Sequence, residues 1–237
     1  MAAPTERPKR FYKIADTGVA EDGFVVLLDG RPPRSPAGKR LIVPTRPLAE
    51  MIAEEWAAQA PYVELAHMPA TRLAYTAIDR IGVARAVTID EIVGYAGADL
   101  LCYRAEAPAS LTERQAAQWG PLLDWARDDL GLTFIALTGI VHRPQLPATL
   151  NGVSALAGAL DDFALAGLAY ATVLFGSAVL ALAVLRRRLT AVAAFDLSRL
   201  DEDFQERQWG VDAEAAERTA LRRLDAAMVG AWFQALG

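Results

Sequence analysis

The first 45 residues alternate short β-branched and aromatic runs with turn residues: RFYKI, EDG, FVVLLDG, a Pro/Gly turn at SPAGK, and RLIVPT. Runs of this kind, bounded by Gly, Pro and Asp, are the pattern of strands and hairpins. A small antiparallel sheet is expected. At Thr45 the period changes: Pro47 suits a first helical turn, Leu48, Met51, Ile52, Trp56 and Gln59 follow helical spacing, and Pro61 stops the helix. YVELAHMPATRLAYTAIDRI then reads as a strand-like piece followed by a helix from near Pro69.

From Val83 onward the apolar positions recur almost entirely at helical spacing. Helices are expected over 88–101, 112–130, 147–160, 190–209 and 212–236, with Gly131 and Gly210 as C-caps. LTFIALTGIVHRPQ is read either as extended chain or as a helix connection. The order of elements predicts an α+β protein: a small N-terminal antiparallel β-sheet domain with a covering helix over 1–82, followed by an all-helical C-terminal domain over 83–237.

One stretch raises a different question. FALAGLAYATVLFGSAVLALAVLRRR, residues 163–188, carries no charge before Arg186, Arg187 and Arg188. From Phe163 to Leu185 it exceeds the roughly 18 apolar residues of a transmembrane candidate, and the arginines would suit a cytoplasmic flank. About half its positions are Ala, Gly, Ser, Thr or Tyr, so its insertion energy is marginal. Gly176 and Ser177 sit mid-run, where glycine weakens a helix and serine makes a good N-cap. Two readings stand: a buried core made of two helices, or a membrane-anchored protein using 163–185 as a transmembrane helix.

Composition narrows the function classes. An apolar fraction of 53% and mean hydropathy of +0.18 describe a folded chain. A net charge of −5 and pI near 5.2 disfavour a nucleic-acid partner, which needs a basic footprint. The N-terminal MAAPTERPKRFYK has no apolar stretch behind its charges, so no secretory signal is expected. The lone Cys102 excludes an internal disulfide and a cysteine metal cluster. Cytoplasm is the natural compartment.

Catalytic templates are absent. GRPPRSPAGKR superficially resembles a phosphate-binding loop, but Pro33 stands where the first glycine belongs and Arg40 replaces the metal-binding Ser/Thr. His67 and His142 lie far apart, neither in a ligand motif, and no nucleophile elbow or dinucleotide turn appears. No catalytic residue, metal or cofactor is assigned. An enzyme using an unrecognised carboxylate or His67 remains the third reading.

The acidity is a C-terminal feature. Between residues 196 and 217 stand Asp196, Asp201, Glu202, Asp203, Glu206, Asp212, Glu214 and Glu217, against Arg199 and Arg207. Leu197, Leu200 and Phe204 at i, i+3, i+7 predict a buried stripe, with Asp196, Arg199, Asp203 and Glu206 on a neighbouring face. Pairs Arg199–Asp203 and Asp203–Arg207 would suit a solvated face. Glu202 and Glu206, a like-charged i,i+4 pair, suit a binding face instead.

Three segments together resemble one family: KRFYK with GFVVLLDGRPPRSPAGKRLIVPTRPLAEMIAEEWAAQ, then MPATRLAYTAID, then LSRLDEDFQERQWG with its following acidic helix. They look like the ATP synthase assembly chaperones of mitochondria and alphaproteobacteria, the Atp twelve family. That resemblance implies a non-enzymatic protein that binds the free α subunit of the catalytic head and prevents its aggregation until it meets β. It implies no cofactor, no nucleic acid, no stable membrane insertion and a monomer when free, in the bacterial cytoplasm or the mitochondrial matrix. Trp56, Trp209 and Gly210 match family positions. Partner binding would fall on Glu202, Asp203, Glu206, Asp212 or Glu214.

Overall fold

A computed structural model describes residues 8–139 and 143–237. Contacts divide the chain into two compact units. The first contains the residues up to Arg85, together with 162–166 and 231–237; the second contains 86–161 and 167–230.

The first unit is built on a three-stranded antiparallel sheet in the order β1 (Ala15–Ala20), β2 (Gly23–Leu28), β3 (Ile42–Val43). Ala15 pairs with Leu28 and Ala20 with Gly23, and Phe24 pairs with Val43. Gly23 is required by close approach, since a Cβ there would lie 2.4 Å from the Val43 carbonyl oxygen. After β2, Asp29 and Gly30 both take positive φ, 47° and 79°, and Leu28 and Arg31 exchange backbone hydrogen bonds. Asp-Gly suits such a tight turn because both central residues must enter the left-handed region.

Helix α1 (Arg46–Ala57) covers the sheet. Thr45 caps it, accepting from Leu48 N, and donates its hydroxyl to the Ala235 carbonyl at 2.5 Å. Leu48, Ile52 and Trp56 of this helix are buried, as are Val26 of β2, Leu41, and Val43 of β3. Glu55 on the same helix accepts from Ala70 N, Thr71 N and Thr71 Oγ1, each at 2.7 Å, and so caps α2 (Pro69–Thr76).

Two strand expectations fail here. RFYKI is not a strand: Arg10 donates to the carbonyls of Ala57 (3.1 Å) and Gln59 (2.6 Å), Tyr12 donates to Trp56 O (2.7 Å), and the segment wraps the end of α1. A cation at unsatisfied helix-terminal carbonyls outcompetes ladder pairing. YVEL reduces to an isolated bridge of Tyr62 with Lys9, followed by a 3₁₀ turn at Leu65–His67.

The second unit is mostly helical. After α3 (Gly82–Gly97) come α4 (Ala109–Leu130), α5 (Pro147–Gly158), α6 (Asp162–Phe175), α7 (Ala178–Leu185), α8 (Ala191–Ser198), α9 (Leu200–Trp209) and α10 (Ala213–Leu236). The terminal turns of α3, α6 and α10 at 82–85, 162–166 and 231–236 belong to the first unit. Two short parallel strands, β4 (Tyr103–Arg104) and β5 (Leu137–Thr138), pair in this unit. Of the stretch 132–145, Leu137 and Thr138 form β5 and the other described residues are irregular chain between α4 and α5. Gly131 ends α4 at φ 69°, as a C-cap glycine should.

The expected helix over 88–101 instead spans 82–97, because Asp99 caps a separate 3₁₀ turn at Leu100–Cys102. The single helix expected over 190–209 breaks at Arg199 (φ −107°, ψ 16°) into α8 and α9, with the Ser198 hydroxyl bonded back to Phe195 O. A local hydroxyl-to-carbonyl bond of this kind competes with helix propagation.

The apolar run resolves into two helices. Gly176 takes φ 64° and Ser177 caps α7, accepting from Leu180 N. Every residue from Ala178 to Val184 is buried. Eight residues reach about 12 Å, well short of a ~30 Å hydrocarbon core. Among the described residues no helix is long and apolar enough to cross a membrane. The transmembrane reading of 163–185 is set aside.

Candidate partner-binding surface

The acidic stretch lies wholly in the second unit. Trp119, fully buried in α4, donates its indole N–H to Leu197 O at 3.0 Å, and the buried Gln115 amide donates to Asp201 at 2.7 Å. These two bonds hold the α8–α9 junction. Leu200 is buried, while Leu197 and Phe204 are only half-buried, so the expected stripe narrows to one residue.

The five candidate acids occupy different environments. Arg199, whose side chain is 15% exposed, donates to Glu206 at 2.6 Å and lies 3.6 Å from Asp203. Glu206 is thus neutralised across a two-turn span, and the expected repulsion from Glu202 has an internal remedy. Asp203 forms an ion pair with Arg199 at the start of the helix; an Asp203–Arg207 ion pair is not found among the described residues. Asp212 accepts from Ala215 N at 3.1 Å and caps α10, and Glu214 bonds Arg218 at 2.6 Å on the exposed first turn. Glu202 is exposed on α9, with no ion pair among the described residues. Asp201, Glu202 and Asp203 also sit in the first turn of α9, where negative charge complements the helix dipole.

Beyond the acids the surface turns apolar. Trp209 is 76% exposed at the end of α9, Gly210 closes that helix at φ 88° by donating to Glu206 O, and Val211 is 55% exposed. On α10, Leu221 and Leu224 are 58% and 67% exposed. Burial along α10 begins only at Ala226, although Arg222 anchors the earlier turns by donating to Leu174 O at 2.8 Å. Asp196 and Arg223 form a two-pronged ion pair between α8 and α10. The result is an acidic helix leading into a helix whose N-terminal half exposes two leucines.

Leu221 and Leu224 escaped the sequence reading because i, i+3 leucines look the same whether they face a core or a partner. Trp56 proves to be a packing residue, buried edge-on to Tyr12 at 5.7 Å. The turn 35–39 is occupied internally: Ser35 Oγ and Ala37 N donate to Asp79, and Lys39 donates to Ile78 O. His67 is exposed and lies 3.3 Å from Glu64; His142 lies outside the described residues. Burial pushes the Cys102 thiol up to about 12, which leaves it inert. Among the described residues no cluster of His, Cys, Asp and Glu is placed to hold a metal.

Residues 9–127 match the family model described as ATP12 chaperone protein. The crystal structure of Atp12 from Paracoccus denitrificans is 37% identical and superposes with a TM-score of 0.91, covering 97% of this chain and 99% of that one. A crystal structure of an Agrobacterium tumefaciens protein is 41% identical, with a TM-score of 0.92 over 97% of this chain and 87% of that one. The mitochondrial protein atp12 of Schizosaccharomyces pombe is 26% identical over 230 residues, 91% of this chain and 79% of its own length. The chain belongs to the ATP12 chaperone family.

Proposed function

We propose that this chain assists assembly of the F-type ATP synthase by binding the free α subunit of the catalytic head and preventing its aggregation until it pairs with β. The observation that carries the reading is the juxtaposition of acidic α9 with exposed Trp209, Val211, Leu221 and Leu224. Exposed large apolar side chains beside unpaired charge suit a surface that covers another protein's apolar face. Glu202 is the acid free to meet a basic group on the client, while Asp203, Glu206, Asp212 and Glu214 support the surface through Arg199, the α10 cap and Arg218. The protein acts without catalysis or cofactor, as a monomer when free, in the bacterial cytoplasm or the mitochondrial matrix.

Co-expression with the α subunit of its own organism tests this directly, with β as the parallel control. Size-exclusion chromatography should show a discrete complex with α alone and an increase in soluble α. Insoluble α beside an unaccompanied chaperone would refute the reading.

A further inference from the structure

Arg186, Arg187 and Arg188, which suit the flank of a transmembrane helix, have no such role beside the short, buried α7. All three are exposed, and among the described residues none forms an ion pair. Their backbone is fixed: Arg186 N donates to Leu182 O at 2.9 Å, Arg187 N to Val184 O at 3.0 Å and Arg188 N to Ala183 O at 2.8 Å, so the turn satisfies the last carbonyls of α7. Arg187 takes φ 57°, the left-handed position that ends many helices and that glycine enters without strain. Gly131 after α4 and Gly176 after α6 fill the corresponding place, at φ 69° and 64°. A cation here complements the helix dipole, but Arg186 and Arg188 supply one without that strain. An arginine kept in a backbone conformation that costs stability points to a use for its side chain. Beside the turn lies a cleft of about 340 Å³ lined by Trp125, Asp129, Leu130, Leu156 and Arg186, all in the second unit. Leu130 and Leu156 are half-buried, and Asp129 forms no ion pair with Arg186, so the arginine's charge is not cancelled there.

We propose that the 186–188 turn and this cleft form a docking surface for an acidic segment of a protein partner, with carboxylates on the arginines and an apolar side chain in the cleft. Charge complementarity selects the occupant. Three cations face the single carboxylate of Asp129, on a chain whose net charge is −5. Each guanidinium is a fork that matches the two oxygens of one carboxylate. The net negative charge opposes a uniformly anionic membrane, and Leu185 and Leu189 on either side of the turn are half-buried, which leaves no apolar side chain there to enter a bilayer. Nucleic acid needs a broader basic footprint than three adjacent arginines. None of these residues belongs to α9 or α10, on which the α-subunit reading rests.

Fluorescence anisotropy tests the surface with a fluorescein-labelled peptide carrying one leucine between two pairs of glutamates, beside the same peptide with glutamines in their place. Wild type should bind the first, release it as salt rises, and leave the second unbound. Arg187→Gly should bind about fivefold more weakly while melting about 2 °C higher, because it removes a charge and the backbone strain together. Arg188→Gln, which has no strain to relieve, should weaken binding without raising the melting temperature. A turn with a structural role alone would gain stability in Arg187→Gly and keep its affinity, and that result would overturn the proposal. A wild type that binds both peptides alike, or neither, would overturn it too. Tighter binding to phosphatidylserine vesicles than to the peptide, weakened by the same substitutions, would assign the turn to a membrane and overturn the protein partner.

Discussion

Ser177 donates its hydroxyl to Asp99 at 2.7 Å and accepts Leu180 N–H at 3.0 Å, joining residues 78 positions apart at the break between α6 and α7. Asp99, fully buried, also accepts from Val179 N at 3.0 Å and Leu101 N at 3.1 Å. One carboxylate thus starts both α7 and the 3₁₀ turn beneath it. An amide in its place would turn a donor toward backbone N–H groups. Asp99→Asn should destabilise the protein by about 2–4 kcal/mol and Ser177→Ala by about 1–2 kcal/mol. The double variant should lose less than the sum, because the two residues share one network. Urea unfolding of all four proteins measures the cycle.

The same carboxyl sets a pH dependence. Burial is the dominant influence on Asp99 and pushes it up to about 6, against the pull of the Val179, Ser177 and Leu101 donors. A carboxyl raised in the folded state binds its proton more tightly there than in the unfolded chain. Its contribution is therefore complete below the unfolded value of about 4 and is lost as pH rises through about 6. The stability advantage of wild type over Asp99→Asn should widen as pH falls from about 7 to about 4.5, which denaturant midpoints at each pH will report. An advantage that shrinks on acidification would contradict this.

On α9, Arg199 and Glu202 should separate stability from binding. Removing the Arg199 head leaves Glu206 and Asp203 without their cation at a part-buried helix start. Arg199→Met should cost about 1–2 kcal/mol, discounted for the exposure of both acids. Glu202→Lys faces solvent and should cost less than about 1 kcal/mol, mostly through the helix dipole, while weakening α-subunit capture. Calorimetry beside quantitative pull-down distinguishes the two; a binding loss only with Arg199→Met would place the role of this helix in its fold.

Trp209→Ala and Leu224→Ser remove exposed apolar surface and touch no buried packing. Each should leave stability within about 0.5 kcal/mol of wild type. Retained α subunit should fall for both, and unchanged retention would remove Trp209 and α10 from the proposed binding surface.

Much of the architecture was legible in short-range pattern. Thr45 before Pro47, Gly131 after the periodic helix, and Gly176–Ser177 within the apolar run each act through the backbone geometry of a single turn, and each stands where the local sequence implies. Reading failed where a distant group took over local donors. RFYKI has strand composition, yet Arg10 and Tyr12 go to the last carbonyls of α1, those of Ala57 and Trp56. The stretch 190–209 has helical periodicity, yet breaks beside Ser198 and Arg199.

The acidic candidates illustrate the same boundary. Sequence alone brought Glu202, Asp203, Glu206, Asp212 and Glu214 together as one charged region, because composition and spacing are local properties. Only the folded chain divides them into an exposed carboxylate, two partners of Arg199, a helix cap and a surface ion pair. It alone uncovers Leu221 and Leu224. Periodicity and capping arise within a few residues and are written in the chain; burial and charge compensation arise between elements far apart in sequence and exist only once those elements are packed.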